Sequence, residues 1–258
     1  MYIDTHTHLT YVEKYDNVEQ IATSLQEKDI QKIINIGCTI ASSNTAIAQA
    51  EKYNGIYAAC GIHPCYVDAV EPNYLTTIEK LCSSKNVVAL GECGLDYHYP
   101  NYDKKRQQTI FLEQLELAHT LKLPVIIHAR DCHTDMIPLL KSKQQLLQQG
   151  GVMHCFAGDL QQAQQYIDLG FYISFSGTVT FKSAKILQQV ASVLPQNKIL
   201  AETDCPYLAP EPVRGTTNTP FNVKYVYHKL ATLRECPIEQ LQQDIWQNAH
   251  TLFHKLNT

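Results

Sequence analysis

Apolar residues along the chain fall into two alternating patterns. Short, mostly apolar runs have strand character: YIDTHT (2–7), KIINIG (32–37), IYAACG (56–61), VVALGE (87–92), PVIIHA (124–129), GVMHCF (151–156), FYISFS (171–176) and KILAET (198–203). Between them lie longer segments whose apolar residues recur at helical spacing. Phe111, Leu115 and Ala118 mark one such face, and DLQQAQQYIDLG closes with Gly170, a residue suited to a helix C-terminus. Strands separated by helices predict βαβ units and a parallel sheet. Eight strands within roughly 205 residues predict an α/β fold, a closed (β/α)8 barrel forming one domain over 1–258. An open doubly wound sheet is the alternative, but no Gly-x-Gly-x-x-Gly follows the first strand. Residues 209–222 form the longest irregular insertion and are expected to be an active-site loop. An extra C-terminal helix is expected over 237–256, packed on the barrel exterior.

Composition narrows the class. Of 258 residues, 45% are hydrophobic and 18% charged, as in ordinary globular proteins. No apolar run approaches the ~20 residues of a membrane span. The start, MYIDTHTH, lacks the basic and apolar regions of an export signal, so a cytoplasmic location is expected. Nine cysteines without any Cys-x-x-Cys spacing fit reduced thiols better than a disulfide framework. A net charge of −4 argues against a broad basic surface for coating long duplexes. It leaves room for an enzyme that grips a few phosphates locally.

The polar residues then point to one end of the barrel. In an extended first strand, His6 and His8 share a face, with Asp4 on it too. His-x-His alone is equally compatible with two surface histidines in a loop. The other strand ends add to it, however. His63 follows strand 3, Glu92 ends strand 4, His128 ends strand 5 with Arg130 two residues on, His154 lies in strand 6, and Glu202 and Asp204 end strand 8. Active sites of such barrels sit at the C-terminal strand ends. Imidazoles and carboxylates converging there suit Zn²⁺, Mn²⁺ or a related divalent ion. Two ions roughly 3.5–4 Å apart can hold a nucleophilic hydroxide and a phosphoryl oxygen together. Asp204 can orient the water and take its proton. Cys93, Cys155 and Cys205 each follow a candidate ligand by one residue. They are expected on the opposite face as small apolar groups, with soft ligation as the alternative.

The motifs DTHTH (4–8), GIHP (61–64), ALGECGLDY (89–97), IIHARD (126–131), GVMHCFAGD (151–159), GFYISFSGTVTFK (170–182) and ETDCPYLAP (202–210) run nearly end to end. Together they resemble the TatD family of metal-dependent hydrolases, a branch of the amidohydrolase-like barrels. The resemblance implies a TIM barrel and a binuclear site of two divalent metal ions (Mg²⁺, Mn²⁺ or Zn²⁺). His6, His8 and Asp204 would hold one ion, His128 and His154 the second, and Glu92 would bridge them. It implies a deoxyribonuclease of 3′–5′ exonuclease type, with DNA ends or single strands as substrate and no membrane or obligate protein partner. Asp204 and Glu92 are the catalytic candidates; His63, Arg130 and Arg214 are the substrate-binding ones.

Several positions carry open alternatives. His63 could reach substrate or simply belong to a turn fixed by Pro64. Arg130 could fork onto a phosphate or pair with Asp131 or Asp135. Glu202 could orient a ligand histidine. Tyr97 could stack on a base or pack, and Asp96 could set its loop. The family often has a second histidine where this chain has Cys65. RGTTNTP (214–220) departs most: Arg214 and Asn218 remain, but Thr216, Thr217 and Thr219 replace a basic pair and an acidic residue. Lys104, Lys105 and Arg106 form the only basic cluster expected near the mouth, with a solvated helical turn as the alternative. The weakened loop leaves room for an ester or amide substrate, such as a D-aminoacyl-tRNA, at the same site. A non-catalytic barrel is the third reading, set against a complete ligand set.

Overall fold

A computed structural model describes residues 1–15 and 17–257. Eight parallel strands occur in chain order around one sheet: β1 (Tyr2–Thr7), β2 (Ile30–Ile36), β3 (Ile56–Cys60), β4 (Val87–Asp96), β5 (Val125–Arg130), β6 (Gly151–Met153), β7 (Phe171–Phe175) and β8 (Ile199–Ala201). Strands buried on both faces read as continuous apolar runs, and β4 is buried at every position. Ile3, Ile34, Ala89, Ile126 and Leu200 are among the fully buried strand residues of the core.

Beyond β8 the chain keeps pairing with β1 and so joins the two ends of the sheet. Thr7 bridges Cys205, Asp204 N–H donates to His6 O at 2.9 Å, and His8 N–H donates to Cys205 O at 2.8 Å. That pairing carries Asp204 to the side of His8. The eight-strand barrel expected from the run pattern is therefore the observed architecture.

Helices α1 (Val18–Thr23), α2 (Ile40–Lys52), α3 (Tyr74–Cys82), α4 (Lys104–Leu121), α5 (His133–Ser142), α6 (Leu160–Asp168), α7 (Lys185–Val193), α8 (Val223–Leu233) and α9 (Ile238–Leu252) lie outside the sheet. Local chemistry starts and stops them. Asn17 and Asp103 accept backbone N–H groups at the starts of α1 and α4. Thr39–Ser42 and Asp159–Gln162 form reciprocal caps on α2 and α6. Gly170, at φ +95, follows α6 where only glycine turns freely. The last helix α9 packs on β1 and β8, and the turn after it crosses the lower strand ends, where Lys32 Nζ donates to Leu256 O. No helix among the described residues is long and apolar enough to cross a membrane, and all nine cysteines are free.

Several strand ends differ from the run pattern: β6 stops at Met153 and β8 at Ala201, so His154, Glu202 and Asp204 lie just past the strands expected to hold them. β4 continues past Glu92 to Asp96, because Gly91 and Gly94 adopt φ of +147 and +144, which side chains rarely allow. A Cβ on Gly94 would also lie 2.0 Å from His128 O. The strand stays paired with β5 through this irregularity and turns both Glu92 and Asp96 inward. The 209–222 segment is irregular as expected, yet it does not line the central cavity. Its buried Asn218 instead donates to Thr203 O and Tyr207 O, so the segment braces the turn that holds Asp204.

Candidate metal centre

The C-terminal strand ends enclose a cavity of about 800 Å³ lined by His8, His63, Glu92, His128, His154 and Asp204 among others. His6 lies fully buried directly beneath. Alternation in β1 puts His6 and His8 on one face, with their Nε2 atoms 3.2 Å apart. His128 from the end of β5 and His154 just past β6 make a second pair, Nδ1 to Nε2 at 3.2 Å.

Glu92 lies between the pairs. Its Oε1 is 2.9 Å from His128 Nδ1 and 2.7 Å from His154 Nε2. Its Oε2 is 3.4 Å from His6 Nε2 and 3.6 Å from His8 Nε2. Asp204 Oδ1 adds a second carboxylate to the first pair, 3.2 Å from His8 Nε2 and 3.7 Å from His6 Nε2. All six residues expected as ligands are thus brought together.

A surrounding layer orients these groups. Asp96 Oδ2 accepts from His128 Nε2 at 2.9 Å, which leaves Nδ1 facing Glu92. Glu202 Oε1 is 3.3 Å from His154 Nδ1 and also accepts the Cys155 N–H, while Ser174 donates to its other oxygen. Cys38 Sγ packs 3.7 Å from His8 Nδ1 and 3.6 Å from Glu92 Oε2. Asp4, expected on the histidine face, does not join the cluster. Its carboxylate accepts from Thr203 N and Oγ1 and ties β1 to the end of β8.

The electrostatics are those of a cation site. Burial alone would raise the Glu92 and Asp204 carboxyls, yet the facing imidazoles hold Glu92 well below and Asp204 below the ordinary range. Burial opposes charge on His154 and His128 as well, but Glu92 with Glu202 or Asp96 raises both. Imidazole nitrogens at 3.2 Å with two anionic carboxylates between them call for positive charge that protons or divalent ions can supply. Nitrogen and oxygen donors of this kind suit Zn²⁺, Mn²⁺ or Mg²⁺, and the ligand atoms of His6, His8 and Glu92, or of His63, Glu92 and His128, lie within 4.8 Å of one another.

The other expected positions divide. His63 caps a short turn, its Nδ1 accepting from Cys65 N–H at 3.1 Å, and still aims Nε2 at Glu92 Oε1 across 3.6 Å. Burial lowers its pKa to about 3, so it stays neutral. Arg130 lines the cavity over the Tyr99 ring, since Asp131 pairs with His98 and Asp135 with Lys104. Arg214 is not brought to the cavity. Its guanidinium lies on Phe181 at 4.1 Å and beside Glu211, because the loop that carries it folds back over the 177–181 turn. Tyr97 packs face to face on Tyr102. Lys104 and Arg106 are engaged by Asp135 and by Val67 O. Cys93 and Cys205 are buried away from the mouth as expected. Cys155 departs from that expectation: a left-handed turn at φ +43 brings it into the cavity lining.

Cys38 was not among the residues the sequence singled out, and Asp96 was expected only to set its loop. Cys38 follows β2, a strand end without histidine or carboxylate, and Asp96 lies beyond the apolar run 87–92. The only signal for Asp96 was its period-2 spacing from Glu92.

The family profile described as TatD related DNase matches residues 3–254. This chain belongs to the TatD family. Among its TatD relatives, the uncharacterized metal-dependent hydrolase YabD of Bacillus subtilis is 39% identical across 98% of this chain and 99% of its own. YcfH of Escherichia coli, also described as an uncharacterized metal-dependent hydrolase, is 35% identical over 98% of this chain and 95% of its own. Among solved structures, the TatD homolog YjjV of Escherichia coli superposes with a TM-score of 0.93 at 32% identity, covering 98% of each chain. A TatD family hydrolase of Entamoeba histolytica shares the fold, with a TM-score of 0.87 at 21% identity and 98% of each chain covered.

Proposed function

We propose that this TatD protein is a metal-dependent hydrolase that cleaves DNA phosphodiester bonds, releasing nucleotides from ends. One observation carries the reading: Glu92 presents one carboxylate oxygen to each of two imidazole pairs. That geometry supports a shared ligand between two divalent ions, one held by His6, His8 and Asp204, the other by His128 and His154. The family description, TatD related DNase, supports the substrate.

Ions bound there supply Lewis acidity and an acidic water near neutral pH. The chain's own groups do the rest. Asp204 accepts the proton of the attacking water, its carboxyl being kept anionic by His8 against the effect of burial. Arg130 meets a non-bridging phosphoryl oxygen from the cavity wall. His63, whose Nδ1 already accepts a backbone N–H, keeps its hydrogen on Nε2 and donates toward a substrate oxygen. Asp96 and Glu202 hold His128 and His154 in their tautomers.

A second reading, hydrolysis of an ester or amide such as the bond of a D-aminoacyl-tRNA, is favoured by the distance of Arg214 from the cavity. The test is nucleotide release from short single-stranded and duplex DNA with Mg²⁺, Mn²⁺ or Zn²⁺, with chelator, and with His128→Ala. Metal-dependent release that the variant lacks is the expected result. Ester or amide turnover well above DNA turnover would replace the first reading with the second.

A further inference from the structure

The cavity mouth is aromatic and acidic where a strand-tracking nuclease would be basic. Among the described residues Arg130 is the only lysine or arginine lining it; Asp68 and Asp103 are the acids of the rim, and Glu92, Asp96 and Asp204 belong to the histidine cluster below. A groove that follows a phosphate backbone needs repeated cations, and the rim offers flanking phosphates one arginine and the carboxylates of Asp68 and Asp103. What rings the mouth is tyrosine. Tyr99 is 54% exposed, Tyr207 49%, and Tyr66 and Tyr102 40% each, so four large rings lie open around one cavity.

These rings are held from within and open outward. Tyr102 stacks on Tyr97 at 4.6 Å and 7°. Tyr99 has the Arg130 guanidinium 5.4 Å from its ring centre. Tyr207 meets Tyr11 edge to face at 6.1 Å, and Tyr11 in turn lies over His8 at 5.2 Å. Tyr66 meets His63 edge to face at 6.1 Å, so each of the four rings has a supporting contact inside the protein. The chain order places them on opposing walls: Tyr99 and Tyr102 follow β4, Tyr207 follows β8, and β4 and β8 lie across the barrel from each other. The Glu92 cluster lies between the walls.

We propose that the tyrosine rim, not phosphate contact, selects the substrate: unpaired nucleobases on either side of the scissile phosphate stack on Tyr99 and Tyr207. This rests on the phosphodiester reading above. Stacking on an aromatic side chain contributes through the π-face that every base presents, so it is tolerant of sequence, and it releases no phosphate counterions, the source of salt dependence. A base inside a duplex has both faces covered by stacking, and a terminal pair leaves only one open, so the rim favours unpaired bases. The site would therefore take one phosphodiester with the planar groups attached to it, and gain little from a longer strand.

The test compares wild type, Tyr99→Ala, Tyr207→Ala and the matching Phe variants, all Mn²⁺-loaded. The probes are a short single-stranded oligonucleotide and the same oligonucleotide with a baseless tetrahydrofuran residue beside the scissile phosphate. Each Ala variant should raise KM roughly ten-fold with kcat little changed, and Phe should restore it. The baseless probe should show the same loss with wild type, and no added loss with the Ala variant on the side of the missing base. The KM of wild type should also change little between low and moderate salt. DNA cleavage with KM indifferent to the Ala variants and to the missing base overturns this inference alone. Metal-loaded wild type that cleaves no oligonucleotide overturns the phosphodiester reading and this inference with it.

Discussion

Asp96 accepts the Nε2–H of His128 at 2.9 Å, and that bond decides which imidazole nitrogen faces Glu92. A carboxylate accepts only, so Nε2 carries a hydrogen toward Asp96, and Nδ1 is the nitrogen left to face Glu92 and any ion held there. The position of Asp96 follows from the glycine-dependent extension of β4.

Asp96→Asn should keep the fold and weaken divalent ion binding by about 10–100-fold, the usual effect of losing such a partner. Competition with a chromogenic chelator measures it. Affinity equal to wild type would show that Asp96 does not orient His128.

Asp204→Asn should abolish phosphodiester turnover while circular dichroism stays unchanged, since the backbone pairing of Asp204 with His6 does not need the charge. Full activity in that variant would remove Asp204 from the role of base.

Asn218 is fully buried and spends its amide on the carbonyls of Thr203 and Tyr207. Asn218→Ala leaves both unpaired, and should lower stability by about 1–3 kcal/mol in denaturant unfolding. Turnover should fall with it, because the same turn carries Asp204.

His133 sits against Tyr166, its Nδ1 2.8 Å from the hydroxyl, and burial lowers its pKa from the ordinary 6.5. The unfolded chain then binds the proton more readily than the folded one. Stability from this group is present above the unfolded value and is lost as pH falls below 6.5 toward the folded one. Denaturation of wild type and His133→Gln in excess chelator should therefore show the stability gap between them narrowing as the pH is lowered through that window. A gap constant with pH would contradict the assignment.

The fold and the cluster of candidate ligands were legible for the same reason. A parallel barrel buries both faces of each strand, so its strands stand out as apolar runs, and a polar residue at the end of such a run is conspicuous. His6, His8, Glu92, His128 and His154 were visible in this way, as was Asp204 by its spacing from Glu202. What was not legible depended on backbone turns or on neutral residues. Gly91 and Gly94 prolong β4 and bring in Asp96. The left-handed turn at Cys155 rotates it into the cavity against simple alternation. Cys38 carries no sign of polarity that would separate it from eight other cysteines. The loop pattern suggested a phosphate ligand at Arg214, and its packing on Phe181 outside the cavity lining could not be read from that pattern. The 209–222 segment reads as a mouth loop by length and composition, yet its hydrogen bonds brace Asp204 from behind.

The most direct test is a titration of metal-free protein with Mn²⁺, following nucleotide release from a short single strand against equivalents of ion bound. Turnover should rise to a plateau at two equivalents per chain and be lost in Glu92→Gln. A plateau at one equivalent, or no release at any loading, would contradict a paired centre bridged by Glu92 and acting on DNA.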